Sequence, residues 1–370
     1  MREKVYRLFK TWRNFFVNFY LLIKFEFDPR FFSKSEKNII FAFNIAKWKR
    51  ELLVKIFDKE LMVFVPLRFN LQKFHEYLSK NKNYKFLVWG VNLPESAKQY
   101  VSMYGVNVLH MEDGFVRSAG LGAFHILPHS ICLDAQGIYF DARNPSDLEN
   151  LLNNKDFSAD HELMNEARDC LRLILERDIT KYNLPLTSLA EKLYGKKDRP
   201  RILVIGQVED DQSILFGCDR VINNNDMVRQ AAQENPEAQI IYKIHPDVIV
   251  AKRRKLSNPE DVADLAVLIR EPMSLSDALL GVDKVYTISS LAGFESLLRG
   301  VPVVTLGCPF YAGWGLTDSR QKNPRRTRKL SLDELFAGAY ILYPKYFNPQ
   351  TGKPSSLKET IENIYLELKK

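Results

Sequence analysis

Two rhythms alternate along the chain: short runs of β-branched and aromatic residues, and longer stretches with apolar residues three or four apart. In the first half, residues 38–43, 61–66, 86–89 and 106–111 predict strands. Residues 46–57, 71–79 and 95–104 predict the helices between them. Residues 130–142 break the rhythm and read as a hairpin around Asp134-Ala135-Gln136-Gly137. Asn144-Pro145-Ser146-Asp147 then caps a helix running to Leu152, and a second helix covers 162–177.

The alternation restarts after the polar, basic segment 195–200. Strands are expected at 201–205, 239–244, 284–288 and 301–306, with helices at 226–233, 274–280 and 294–299. Gly300 follows the last helix, where glycine suits a left-handed terminus. Repeated strand–helix–strand units imply parallel sheets covered by helices. The expected fold is α/β and GT-B-like, with two Rossmann-like domains facing across a cleft. The expected division is 1–195 for an acceptor-side domain and 196–330 for a donor-binding domain. Residues 331–370 are expected to form a helical tail that crosses back to the first domain. Periplasmic-type binding proteins and two-domain dehydrogenases give a similar string, so the fold does not decide the function.

Composition adds modest constraints. A length of 370 residues exceeds what one hydrophobic core serves, and 46% hydrophobic with 26% charged residues is ordinary for a globular chain. The net charge of +8 favours an anionic partner without naming it. Cys132, Cys170, Cys218 and Cys308 form no CxxC pair, which fits a reducing compartment. The apolar cluster 15–27 is broken by Asn18, Lys24 and Glu26, too short to span a bilayer and without a signal-peptide cleavage site. A cytoplasmic location is expected by elimination. Residues 1–32 mix Arg2, Lys4, Arg7, Lys10 and Arg13 with many aromatics. This suits a helix lying on an anionic membrane surface, and equally one packed on its own domain.

Ligands of open parallel sheets bind beyond the carboxyl ends of strands. Strand 106–111 delivers Glu112-Asp113-Gly114 there, either an acid/base edge or a plain Asp-Gly turn. Strand 201–205 delivers Gly206-Gln207-Val208-Glu209-Asp210-Asp211, whose three carboxylates repel one another unless a cation compensates. Strand 239–244 delivers Lys243 and His245, the histidine held extended before Pro246 and able to bind a phosphate oxygen or protonate a leaving group. Strand 284–288 delivers Ser289 and Ser290 to a helix N-terminus, a phosphate site or a simple cap, with Glu295 one turn in as a ribose contact. Residues 307–315, with Phe310, Tyr311 and Trp314, read as a rigid surface against a base or sugar, or as packing.

Taken together, these strings resemble the bacterial capsule-polysaccharide Kdo transferases, the retaining β-Kdo glycosyltransferases. The resemblance rests on Glu112-Asp113-Gly114-Phe115-Val116-Arg117-Ser118-Ala119-Gly120-Leu121-Gly122, Gln207-Val208-Glu209-Asp210-Asp211, His245-Pro246 and Ser289-Ser290-Leu291-Ala292-Gly293-Phe294-Glu295. Pro309 to Gly315 and Tyr343-Pro344 extend it. It implies a CMP-β-Kdo donor bound by Gln207, Lys243, His245, Ser289, Ser290, Glu295, Tyr311 and Trp314, with His245 assisting departure of CMP. It further implies a carboxylate nucleophile, Asp211 with Asp210 as its rival, and Glu112 as base for the acceptor hydroxyl. Asp113 and Arg117 are expected on the acceptor side, Arg117 meeting the donor carboxylate. CMP leaves readily, so no metal cofactor is expected, although the acidic triplet has a composition that Mg²⁺ accepts. Family members often carry two transferase modules, and this chain has room for one.

The same residues admit two other readings. One is an inverting CMP-sialic-acid-type transferase. The other is a non-catalytic protein binding anionic ligands through Arg320, Lys322, Arg325, Arg326, Arg328 and Lys329. No nucleic-acid motif is present. The expected partners are therefore CMP-Kdo, a glycan or glycolipid acceptor, and a peripheral contact with the inner membrane.

Overall fold

The computed structural model describes residues 38–66, 71–80, 83–120, 125–181, 183, 189–249 and 256–369. The aromatic, basic segment 1–32 lies outside the described residues. Among the described residues no helix is long and apolar enough to cross a membrane. The chain divides into two compact units, Met1–Glu112 with Gln350–Lys353, and Asp113–Pro349 with Pro354–Lys370.

The first unit is built on β1 (Ile39–Phe43), β2 (Leu61–Phe64), β3 (Tyr84–Trp89) and β4 (Val108–Asp113), parallel in the order β4-β3-β1-β2. Its helices are α1 (Lys47–Ile56), α2 (His75–Lys80) and α3 (Glu95–Tyr104). The sequence pattern of α3 explains both its ends and its packing. Pro94 precedes it, Gly105 ends it in the left-handed region at φ 64°, and its buried Tyr100 meets Phe86 with ring centroids 5.9 Å apart.

The second unit begins with β5 (Ser130–Asp134), followed by α4 (Asp147–Asn154), α5 (His161–Glu176) and α6 (Leu189–Tyr194). A parallel sheet follows, made of β6 (Arg201–Ile205), β7 (Gln239–Lys243), β8 (Val267–Ile269), β9 (Lys284–Thr287), β10 (Val303–Thr305) and β11 (Asp318–Ser319). Its order is β11-β10-β9-β6-β7-β8. This is the strand order of dinucleotide-binding folds, and its direction reverses between β6 and β9. The helices of this half are α7 (Gln212–Leu215), α8 (Asn224–Glu234), α9 (Pro246–Ile249), α10 (Leu275–Ala278) and α11 (Leu291–Leu298). Alternation along the strands sorts the core: Ile202, Val204, Ile240 and Tyr242 pack with α8, whereas Leu203, Ile205 and Ile241 share a cluster with Phe294 and Leu298 of α11. After α12 (Leu332–Phe336) come β12 (Pro344–Phe347), β13 (Pro354–Ser355) and α13 (Leu357–Leu368).

The fold class is thus the expected one, α/β with two Rossmann-like halves. Three details differ from expectation. The contacts divide the chain at residue 112 and not at 195, because Phe115, Cys132, Leu152, Ile174 and Tyr194 share one core with Leu203, Phe294 and Trp314. Residues 130–142 are not a hairpin. The buried Asp134 carboxylate accepts from the backbone N–H of Gln136, Gly137 and Asp147, so the chain coils after β5. The antiparallel partner of β5 is β12, with Pro344 opposite Cys132, and Tyr343 also donates to Asp134 at 2.9 Å. The tail is therefore part strand and not helical throughout, and residues 350–353 count with the first unit.

Candidate functional site

The reversal point between β6 and β9 is where ligands of such sheets bind, and the chain builds it from small, specific contacts. Gly206 follows β6 and donates to Lys243 O at 2.8 Å; a Cβ here would lie 2.9 Å from that same oxygen. The next residue, Gln207, is buried and spans the reversal. Its Oε1 accepts from Ser289 N at 2.7 Å and from Thr287 Oγ1 at 3.3 Å, while Nε2 donates to Ser289 Oγ at 3.2 Å. Its backbone is clamped both ways by Asn224, which accepts from Gln207 N and donates to Gln207 O, each at 2.9 Å. A buried amide with every group paired fixes the ends of β6 and β9 to each other.

The acidic triplet does not converge. Glu209 is buried and accepts from Asn224 N, Leu256 N, Ser257 N and Ser257 Oγ at 2.5–3.1 Å, a structural role. Asp210 is exposed. Asp211 caps α7: its Oδ1 accepts both Ser213 N at 2.9 Å and Ser213 Oγ at 2.8 Å. Ser213 O in turn accepts from Ser289 Oγ at 3.0 Å. Asp211, Gln207 and Ser289 therefore stand on one hydrogen-bonded frame, with Oδ2 of Asp211 left outside the cap.

Ser290 caps α11, accepting from Ala292 N at 3.2 Å, and its own N–H donates to Thr287 Oγ1. His245, half-buried, accepts the Asp247 N–H on Nδ1 at 3.1 Å, so the neutral ring carries its proton on Nε2. Lys243 is only 8% exposed. Burial alone pulls its ammonium down to about 8. No ion pair joins it to the triplet among the described residues.

Several expected contacts are spent inside the protein. Glu295 is buried and accepts the Lys181 N–H at 2.7 Å, and burial raises its carboxyl group above the usual range; it is not presented as a ribose contact. Tyr311 and Trp314 are each 0% exposed and offer no ring face to a ligand. Tyr311 Oη donates to Ser290 O at 2.5 Å, and Trp314 Nε1 donates to Phe310 O at 2.7 Å. They set the loop and the start of α11. Arg117 is likewise buried, donating to Asp113 Oδ2, Ser118 Oγ and Ile126 O at 2.6–2.9 Å. It is not aimed at a donor carboxylate. Asp113 carries this ion pair, and Glu112 ends the first unit.

In the basic run 320–329 Lys322 and Lys329 are exposed, while the four arginines are already paired. Arg320 pairs with Glu234 and Asp318, Arg325 and Arg326 share the buried Glu149, and Arg328 meets Glu334. The residues that sequence reasoning passed over are Asn224, Ser213, Thr287 and Glu149. Only Asn224 left a trace, in the Asn223-Asn224-Asn225-Asp226 string that opens α8 with a capping box.

Gly293 makes the Tyr311–Ser290 contact possible, since a Cβ there would overlap Tyr311 Oη and lie 2.8 Å from Thr287 Cγ2. Gly293→Ala should lower stability by about 1–3 kcal/mol through overpacking. Thermal unfolding checks this; an unchanged midpoint would mean that the loop yields freely.

Comparison with known proteins adds an independent line. The capsule polysaccharide biosynthesis protein family matches residues 86–183 and 161–346. The lipopolysaccharide-processing protein LpsZ of Rhizobium meliloti is 42% identical over 332 residues, covering 90% of this chain and 75% of LpsZ. The capsule polysaccharide modification protein LipA of Neisseria meningitidis serogroup B is 40% identical over 285 residues, 77% of this chain, which spans 40% of LipA's length. Among solved structures, Thermosulfurimonas dismutans KpsC, beta Kdo 2,4 transferase, aligns with a TM-score of 0.71 and 34% identity, covering 88% of this chain and 98% of that one. KpsC, beta Kdo 2,7 transferase, from the same organism, gives 0.69 and 31%, covering 90% and 100%.

Proposed function

Because this chain belongs to the capsule polysaccharide biosynthesis protein family, we propose that it is a glycosyltransferase moving Kdo from CMP-β-Kdo to a glycan or glycolipid acceptor with retention of configuration. The observation that carries the reading is the alignment with both KpsC transferase structures at TM-scores of 0.71 and 0.69 over nearly the whole chain. The frame at the β6–β9 reversal supports it, since it lies where a nucleotide binds in this strand order.

In this reading the CMP phosphate meets Ser290 at the start of α11 and the Nε2–H of His245, both half-buried at the carboxyl edge. Ser289 and Gln207 hold the floor in register. Asp211 Oδ2 attacks the anomeric carbon of the donor, and the bond to the phosphate oxygen breaks with its electron pair leaving on CMP. The acceptor hydroxyl then attacks the same carbon, the carboxylate departs, and the hydroxyl proton passes to a base, for which Glu112 is proposed. Two inversions give net retention. A peripheral contact with anionic lipid belongs to the same proposal, through the segment 1–32.

Two measurements test it. CMP at 100 times its Kd should stabilise the fold by about 2.7 kcal/mol, whereas UMP and AMP should have little effect. The product should be the β-Kdo glycoside by NMR. An inverted product would remove the nucleophile from the mechanism and favour the sialyltransferase-type reading.

A further inference from the structure

Lys243 is the last residue of β7, nine-tenths buried, and among the described residues no hydrogen bond or ion pair holds its ammonium. A poorly solvated cation without a partner is unfavourable by itself, and an anion bound beside it would offset that cost.

The register places the ammonium. Ile205 of β6 lies opposite Lys243 on one side and opposite Thr287 on the other. Lys243 and Thr287 therefore rise from the same face, two strand spacings or about 10 Å apart. This is the face covered by α11, whose capping Ser290 donates its N–H to Thr287. Lys243 itself stands at the carboxyl end of β7, the same edge of the sheet at which Ser289 and Ser290 follow β9. Ser290 and His245 are half-buried, whereas Lys243 is buried. A phosphate is served by the half-buried pair. What remains for a buried point charge is a second anion, beside the reacting carbon.

We infer that Lys243 receives the carboxylate of the sugar acid in the donor, and so distinguishes a 2-keto-acid sugar from a neutral one. The inference rests on the donor reading above. A neutral hexose would leave the ammonium desolvated and unpaired, which rejects it by cost and not by shape.

The test uses the full chain with Lys243→Met, which keeps the volume and removes the charge, and Lys243→Arg, which keeps the charge. For Lys243→Met, kcat/KM with CMP-Kdo should fall by about thirtyfold or more, while the Kd for CMP alone by calorimetry should stay within about threefold. Its thermal midpoint without ligand should equal or exceed that of the natural chain, because an unpaired buried charge is gone. Lys243→Arg should recover most of the lost kcat/KM. A parallel loss of CMP affinity would assign the cation to the phosphate and overturn the inference, as would unchanged kinetics or a lowered midpoint. If the natural chain binds CMP no better than UMP, the donor reading fails first, and that result is separate from all of these.

Discussion

Replacing Asp211 by asparagine should abolish transfer while leaving the protein folded. The expected loss in kcat is roughly 10³- to 10⁵-fold, the scale seen when a catalytic nucleophile or its partner is removed. The fold should tolerate it because Asp211 contributes to structure through its cap, in which Oδ1 accepts Ser213 N and Ser213 Oγ. Asparagine offers the same carbonyl acceptor and is as good an N-cap, so stability should change by less than about 1 kcal/mol. Only the second oxygen is altered, from a carboxylate oxygen to an amide nitrogen that cannot attack carbon. Asp210→Asn is the comparison. That side chain is exposed and does not cap α7, so its rate should stay within about tenfold. Incubation with CMP-Kdo should leave a Kdo adduct on the peptide containing residues 209–211 in the natural protein and none in Asp211→Asn. Transfer by Asp211→Asn at more than a tenth of the natural rate, or an Asp210→Asn enzyme that is dead instead, would move the nucleophile elsewhere.

The parts of this arrangement that sequence reveals are those governed by local rules. The helix expected at 95–104 is α3 to the residue, because Pro94 and Gly105 punctuate it and its apolar positions repeat at helical spacing. The strand 201–205 is likewise β6, fully buried, and the motif residues fall at strand ends because a parallel sheet leaves its chemistry nowhere else. What local rules could not give is which polar groups are already spoken for. Arg117 and Glu295 look available as residue types, yet one is spent on Asp113 and the other on the Lys181 backbone. Gln207 looked like one ligand contact among many, and its role in tying Ser289 to β6 depends on a partner 82 residues away. The polar segment 195–200 is a real surface turn, as its exposure shows, but the core passes beneath it, so composition marked a loop and not a boundary. Trp314 in a glycine-bearing loop reads as a ligand wall until Arg326 closes over it, its guanidinium carbon 5.7 Å from the ring centroid.

That closure yields the second large effect. Glu149 is buried on α4 and serves Arg325 Nε at 2.5 Å, Arg326 Nε at 3.1 Å and Asn323 Nδ2 at 3.0 Å. Arg326, with a side chain 4% exposed, spends the rest of its guanidinium on the loop, donating to Pro309 O at 2.5 Å and Ala312 O at 2.6 Å. Tyr311, between those two carbonyls, donates to Ser290 O, so the network reaches from α4 to the start of α11. Glu149→Gln keeps the shape and removes the only carboxylate paired with Arg326 among the described residues. Leaving a buried charge uncompensated costs about 3–5 kcal/mol. Arg325 adds less, because its side chain is 31% exposed and solvent screens it. A loss of about 3 kcal/mol in a unit of this size lowers the thermal midpoint by roughly 6–12 °C. Arg172→Gln, which breaks an ion pair exposed on both sides, should cost less than about 1 kcal/mol. Glu149→Leu combined with Arg326→Met should recover part of the loss, since removing both charges ends the desolvation penalty that removing one exposes. In Glu149→Gln the KM for the donor should also rise, because the Tyr311 hold on Ser290 loosens with the loop. A midpoint within 2 °C of the natural protein would show that Arg326 finds another anion, and the link from α4 to the donor edge would fall with it.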